Sequence, residues 1–186
     1  IRRIKAAQKE AAADVVLVEI GGTVGEYQNV LFLEAVRMLK NDRPGDVAVV
    51  MVSYLPVPGS IGEMKTKPTQ TAVRALNSTG VFADMIIARS PVGVDDKRKE
   101  KIAKFCNVQK ENVISAPDMD SIYDIPLEYE AAGVSKQLCD ILGISKRKPA
   151  DLRQWKRFIT NSKKDSQTVK IAVVGKYFNS GDFVLS

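Results

Sequence analysis

Val47-Ala48-Val49-Val50-Met51-Val52-Ser53 runs through six apolar residues before its first polar one. A strand with one wet face would alternate. This one does not, so it predicts a strand buried on both faces, as in a parallel sheet covered by helices on each side. The pattern repeats outward in both directions. Residues 15–20 (Val-Val-Leu-Val-Glu-Ile) and 85–88 (Met-Ile-Ile-Ala) read the same way, and 112–116 is a shorter fourth run. Between them lie helical stripes: Phe32, Ala35, Val36 and Leu39; Val73 and Leu76 after Pro68; Ile102, Phe105 and Cys106. Residues 120–125 and 129–142 also read as helices, the second closed by Gly143. Strand alternating with helix makes the fold class α/β, a parallel sheet flanked by helices.

Composition shifts at Lys146-Arg147-Lys148-Pro149-Ala150, which ends the first domain, residues 1–146. Residues 147–168 read as a linker, with a helix over 152–160 carrying the lone Trp155 and a polar stretch after it. Residues 169–174 form a fresh apolar run ending in Gly175-Lys176-Tyr177, so 169–186 reads as the start of a second α/β unit. The chain begins at Ile1 in what reads as mid-helix and stops at Ser186 just after a strand, the pattern expected of a piece of a longer chain.

Histidine is absent from the 186 residues, which excludes Ser-His-Asp and Cys-His catalysis and every metal site built on imidazole. Cys106 and Cys139 are too far apart for a CxxC motif, and two cysteines fit a reducing, cytoplasmic compartment. Cys106, at helical spacing with Ile102 and Phe105, reads as a small buried hydrophobe. No apolar run is long enough to span a bilayer, and the N-terminus does not read as a signal peptide. The net charge of +6 points to anionic partners, the alternative being a merely basic surface. The aromatic residues do not interleave with the basic ones as a stacking platform for single strands requires, so a nucleotide is favoured over nucleic acid.

Two constellations carry chemistry. In Glu63-Met64-Lys65-Thr66-Lys67-Pro68-Thr69-Gln70, two lysines precede a proline placed to begin a helix. Proline is favoured there because it has no N–H to leave unbonded, and the amides of the first turn stay free for an anion. Two ammonium groups beside those amides suit a triphosphate. The alternative is an ordinary helix start with solvated lysines. Lys101 could add a third cation, but spacing alone does not choose it from its neighbours, and Lys97-Arg98-Lys99 reads as a solvated face. In the second constellation, Glu19 ends the run 15–18 and is followed by Gly21, Gly22 and Gly25. An acid at a strand tip beside a glycine turn suits magnesium on nucleotide phosphates, the alternative being a solvated turn residue. Asp118 and Asp120 lie just past the run 113–115, with Asp120 also readable as a helix cap.

Three stretches together, Val18-Glu19-Ile20-Gly21-Gly22-Thr23-Val24-Gly25, Gly62-Glu63-Met64-Lys65-Thr66-Lys67-Pro68-Thr69-Gln70 and Phe105-Cys106-Asn107-Val108, with Asp120-Ser121-Ile122-Tyr123 beyond, resemble the synthetase domain of the CTP synthase family. The resemblance covers nearly the whole chain in order. Trp155 and the stretch 169–177 resemble that family's linker and the first strand of its glutaminase domain.

This resemblance implies a P-loop NTPase-like, dethiobiotin synthetase-like fold. It implies a glutamine-hydrolysing, ATP-dependent C–N ligase that phosphorylates O4 of UTP and lets ammonia displace the phosphate to give CTP. By motif position, Glu19 would hold Mg2+. Lys65, Thr66, Lys67, Pro68, Thr69, Gln70 and Lys101 would take the UTP or CTP phosphates, with Glu26, Tyr27 and Gln28 at the cytidine end. Arg89, Pro117, Asp118 and Met119 would lie around the ATP adenine. The partners implied are UTP, CTP, ATP, glutamine and three further copies in a homotetramer, with no membrane and no nucleic acid. The family usually has Gly-Asp-Ile-Glu where this chain has Gly25-Glu26-Tyr27-Gln28, so an amide replaces an acid at Gln28. The phosphate loop and second magnesium aspartate would lie before Ile1, and the glutaminase triad after Ser186. The expectation is therefore a chain inactive by itself; the alternative is a catalytically silent nucleotide-binding or oligomerising module.

Overall fold

The computed structural model describes residues 1–59, 62–145, 148, 150–164 and 169–172. The chain divides into two units, Ile1–Leu152 and Arg153–Ser186. In the first, the elements run α1 (Arg2–Glu10), α2 (Val30–Asp42), β1 (Val50–Tyr54), α3 (Lys67–Ser78), β2 (Met85–Ser90), α4 (Asp96–Cys106), β3 (Val113–Pro117), α5 (Ile125–Ala131) and α6 (Val134–Ile141), with short 3-10 turns between some of them. The three strands pair in parallel in the order β1-β2-β3. This is the α/β architecture expected from the apolar runs.

Register decides which helices cover which side. Met51 pairs with Ile86 and Ile86 with Val113, so these share one face. There they meet Val73 and Leu76 of α3, Ile102 and Cys106 of α4, and Leu33 of α2. The alternate residues Met85, Ile87, Ile114 and Ala116 pack on the other face against Val134, Leu138 and Ile141 of α6 and Tyr129 of α5. Val50, Val52 and Tyr54 lie on that second face by register but are exposed, Val52 to 60%, because α5 and α6 cover only β2 and β3.

The expected strands shift at their ends. The run 47–53 becomes a strand only from Val50, because the Val49 N–H is taken by the Asp84 carboxylate at 2.7 Å instead of a neighbouring backbone carbonyl. Residues 15–20 form no strand. Ile20 packs on the core, but Leu17 is 92% exposed, and no described backbone group pairs with residues 14–22. Apolar composition supplies strand propensity, yet a strand's hydrogen bonds must come from a neighbour, and none of the described strands lies alongside.

The expected helix 129–142 is two helices. Gly133, at φ +79°, breaks it, and the Gln137 side chain lies 2.8 Å from where a Cβ would stand. Gly143 closes α6 at φ +64°, as expected. The expected helix 120–125 is a 3-10 turn, Ile122–Asp124, running into α5, and Ser121 caps it in place of Asp120 by accepting from Tyr123 N at 3.3 Å. In the Phe105–Val108 motif, Asn107 takes the left-handed conformation that ends α4, and Val108 N reaches back to Ala103 O at 3.2 Å.

In the second unit, α7 (Arg153–Ser162) is the helix expected around Trp155, whose ring meets Phe158 at 5.4 Å. Residues 169–172 of the expected strand 169–174 are not in a strand, and Val169 and Ile171 are exposed. Residues 173–177, including Gly175, Lys176 and Tyr177, lie outside the described residues.

Candidate functional site

A cleft of about 370 Å³ opens where the loop 62–66 meets the first turn of α3 and the first two turns of α4. Its lining holds five cationic side chains, Lys65, Lys67, Lys97, Arg98 and Lys101, and one carboxylate, Glu63; Met64, Thr66 and Gln70 complete it. The loop is held from below. Met64 is buried in the core, and Lys65 N donates to Pro56 O at 2.9 Å, which sets Lys65 on the rim. On α4, Asp95 caps the helix by accepting from Arg98 N at 2.8 Å, and helical spacing puts Lys97, Arg98 and Lys101 on one face.

The start of α3 differs from that of α4. Thr66 occupies the cap position without a side-chain cap, Pro68 sits in the first turn, and the N–H groups of Thr66, Lys67 and Thr69 meet no acceptor among the described residues. Free amides at a helix start carry partial positive charge. The Gln70 amide donates to Thr66 Oγ1 at 3.1 Å, and the fully buried Thr69 hydroxyl meets Ser53 Oγ at 2.8 Å. That last bond ties the start of α3 to β1. Thr69→Val, which keeps the shape and removes the hydroxyl, is expected to lower the unfolding free energy by about 1 kcal/mol in urea titrations.

Of the residues singled out for a triphosphate, Lys65, Thr66, Lys67, Gln70 and Lys101 line one cleft. Pro68 and Thr69 do not: the proline sets the helix start and the threonine faces the sheet. Of the run Lys97-Arg98-Lys99, read as a solvated face, Lys97 is exposed, and Lys97 and Arg98 also line the cleft. The i, i+4 spacing of Lys97 and Lys101 is the signal that finds them. Glu26, Tyr27 and Gln28 stand elsewhere, around the turn that Gly22 makes at φ +82°. Tyr27 is 94% exposed. Gln28 Nε2 donates to Glu26 Oε2 at 2.6 Å, and the Glu26 carboxyl is held below its usual range, first by a backbone hydrogen bond from Thr23 and then by Gln28.

Arg89, Pro117, Asp118 and Met119 gather at the C-terminal ends of β2 and β3. Ser90 stands opposite Pro117, Asp118 N donates to Ser90 O at 2.9 Å, and Arg89 pairs with Asp118 at 3.5 Å.

Glu19 is neither at a strand tip nor in the cleft; it is exposed within the unpaired stretch 14–22. Magnesium on nucleotide phosphates takes an octahedral oxygen set that includes one or two carboxylates. No group of three or more acidic, histidine or cysteine side chains gathers among the described residues. Glu19 would supply one such carboxylate. No helix among the described residues is long and apolar enough to cross a membrane.

The family described as CTP synthase N-terminus matches residues 1–144. The chain is 43% identical over 188 residues to the CTP synthase of Symbiobacterium thermophilum, covering 100% of this chain and 34% of that protein. It is 42% identical over 185 residues to those of Prochlorococcus marinus strain NATL1A and Halalkalibacterium halodurans, covering 99% of this chain and 33% and 35% of those proteins. The chain thus spans about a third of the length of the curated relatives it matches.

Proposed function

The chain belongs to the CTP synthase family, and from that premise we propose that its cleft holds the triphosphate of UTP or CTP. One observation carries the reading: five cationic side chains line a single cleft, together with Thr66, and the N–H groups of Thr66 and Lys67 there meet no acceptor among the described residues. Charge-assisted contacts are the strong ones, and several cations around one cleft favour a ligand with several charges.

In the complete protein the same reading makes this region part of an ATP-dependent ligase of pyrimidine biosynthesis. The O4 of UTP attacks the γ-phosphorus of ATP and ADP leaves; ammonia released from glutamine then adds at C4, and phosphate departs to give CTP. Positioning and charge neutralisation supply most of the catalysis of phosphoryl transfer, so the lack of histidine in this chain is no obstacle. The cluster of Arg89, Pro117, Asp118 and Met119 would border the ATP adenine. The half-buried Glu26 and the exposed Tyr27 and Gln28, apart from their own chain's cleft, would serve a nucleotide on a neighbouring subunit of a homotetramer. Residues 1–146 would be synthetase, 147–168 linker and 169–186 the start of the glutaminase domain, in a cytoplasmic protein.

The test is a calorimetric titration of the chain with UTP, CTP, inorganic triphosphate and uridine at fixed ionic strength. UTP, CTP and inorganic triphosphate are expected to compete for one site, with uridine at least about tenfold weaker than UTP. Equal affinity for UTP and uridine would reject the assignment.

A further inference from the structure

Glu63 is the one carboxylate in the lining of the cleft, and cations of that cleft engage both its oxygens. Oε2 accepts from Lys65 Nζ at 2.7 Å, and Oε1 lies 4.0 Å from Arg98 Nη2. Lys65, foremost through that hydrogen bond, holds the Glu63 carboxyl below the usual range, and Arg98 and Lys101 add to it. Packing does not require an acid here. The Glu63 side chain is 58% exposed, while the loop is fixed independently by Met64 in the core and by the bond from Lys65 N to Pro56 O. The carboxylate therefore occupies the place beside Lys65 that an incoming phosphate oxygen would take. Lys67, Lys97 and Lys101 carry no such partner among the described residues.

We infer that Glu63 is a displaceable internal counter-ion, an anion supplied by the chain itself that competes with the ligand's phosphates for Lys65 and keeps bound nucleotide exchangeable. The inference rests on the cleft being the triphosphate site. An exposed pair of this kind is weak, because water and salt screen it, so a polyanion that also meets the unpartnered lysines can displace the carboxylate. Removing the carboxylate relieves both the competition for Lys65 and the repulsion acting on every ligand charge.

The experiment is a double-mutant cycle on the chain, with UTP and inorganic triphosphate as probes and with Lys67→Ala as a control on the site itself. Glu63→Gln is expected to tighten both probes about three- to tenfold, mainly by slowing dissociation, and to leave the melting temperature unchanged. In a Lys65→Ala background the same change should give less than half of that gain, because the contested partner has gone. If Lys67→Ala leaves UTP affinity unaltered, the cleft reading fails. If Lys67→Ala weakens UTP while Glu63→Gln leaves affinity the same or lowers it, the site stands and Glu63 is instead a positioning residue for Lys65, which overturns the inference. A gain from Glu63→Gln that is equally large without Lys65 overturns the competition for that lysine.

Discussion

Replacing Lys67 and Lys101 together with alanine is expected to weaken UTP binding by about a hundredfold or more and to leave uridine binding where it was. Both side chains line the cleft, and neither has an acidic hydrogen-bond partner among the described residues, so their charge is available to a ligand in a way that Lys65's is not. Hydrogen bonds to charged groups contribute about 1.5–3 kcal/mol each, and about 1.4 kcal/mol is tenfold in affinity, so losing two exceeds two decades. The salt dependence gives a second readout. The wild-type affinity should fall as ionic strength rises, and the double variant should show a shallower fall because fewer charged contacts remain to be screened. Both lysines are exposed and belong to no core cluster, so the urea midpoint should not move. An affinity within threefold of wild type, with the fold intact, would place the triphosphate elsewhere.

Ile86→Ala is expected to cost about 2–5 kcal/mol of folding free energy, against about 5–15 kcal/mol for a typical domain. Ile86 is fully buried in β2, the central strand, between Met51 and Val113 in register and within the cluster that holds Val73 of α3 and Ile102 of α4. Truncation removes three carbons from a layer that cannot collapse fully, since strands on both sides hold its backbone in place. The measurement is a urea titration: a lower midpoint with unchanged slope is the expected result, and a shift below about 1 kcal/mol would mean that the layer repacks. α3 and α4 rest on this layer and carry the cleft's cations, so nucleotide affinity should fall in partially destabilising urea well before it does for wild type.

Much of the fold was legible in the residues. Runs such as Met85-Ile86-Ile87-Ala88 marked strands with two buried faces, Pro68 marked a helix start within a residue, and Gly143 marked a helix end. The errors have a common cause. Residues 15–20 have strand composition, but pairing is a property of two segments, and composition reports only one. Gly133 was submerged in a continuous helical pattern because its left-handed conformation depends on the turn between α5 and α6. The candidate site was legible as the Lys65–Gln70 stretch plus one ambiguous lysine, whereas Glu63, Lys97 and Arg98 acquired roles only through their neighbours.

Local chemistry in the sequence was enough to determine most element types, the parallel α/β class, the exclusion of imidazole catalysis and the start of α3 at Pro68, because each depends on residues within a few positions of one another. Tertiary structure alone decided that α4 brings Lys97, Arg98 and Lys101 to the start of α3 and Arg98 to Glu63, that Thr69 faces the sheet, and that Glu19 stands apart from the cleft. Coulomb energy and hydrogen bonding depend on distances through space, and sheet register and helix packing set those distances between residues far apart in sequence, such as Glu63 and Arg98.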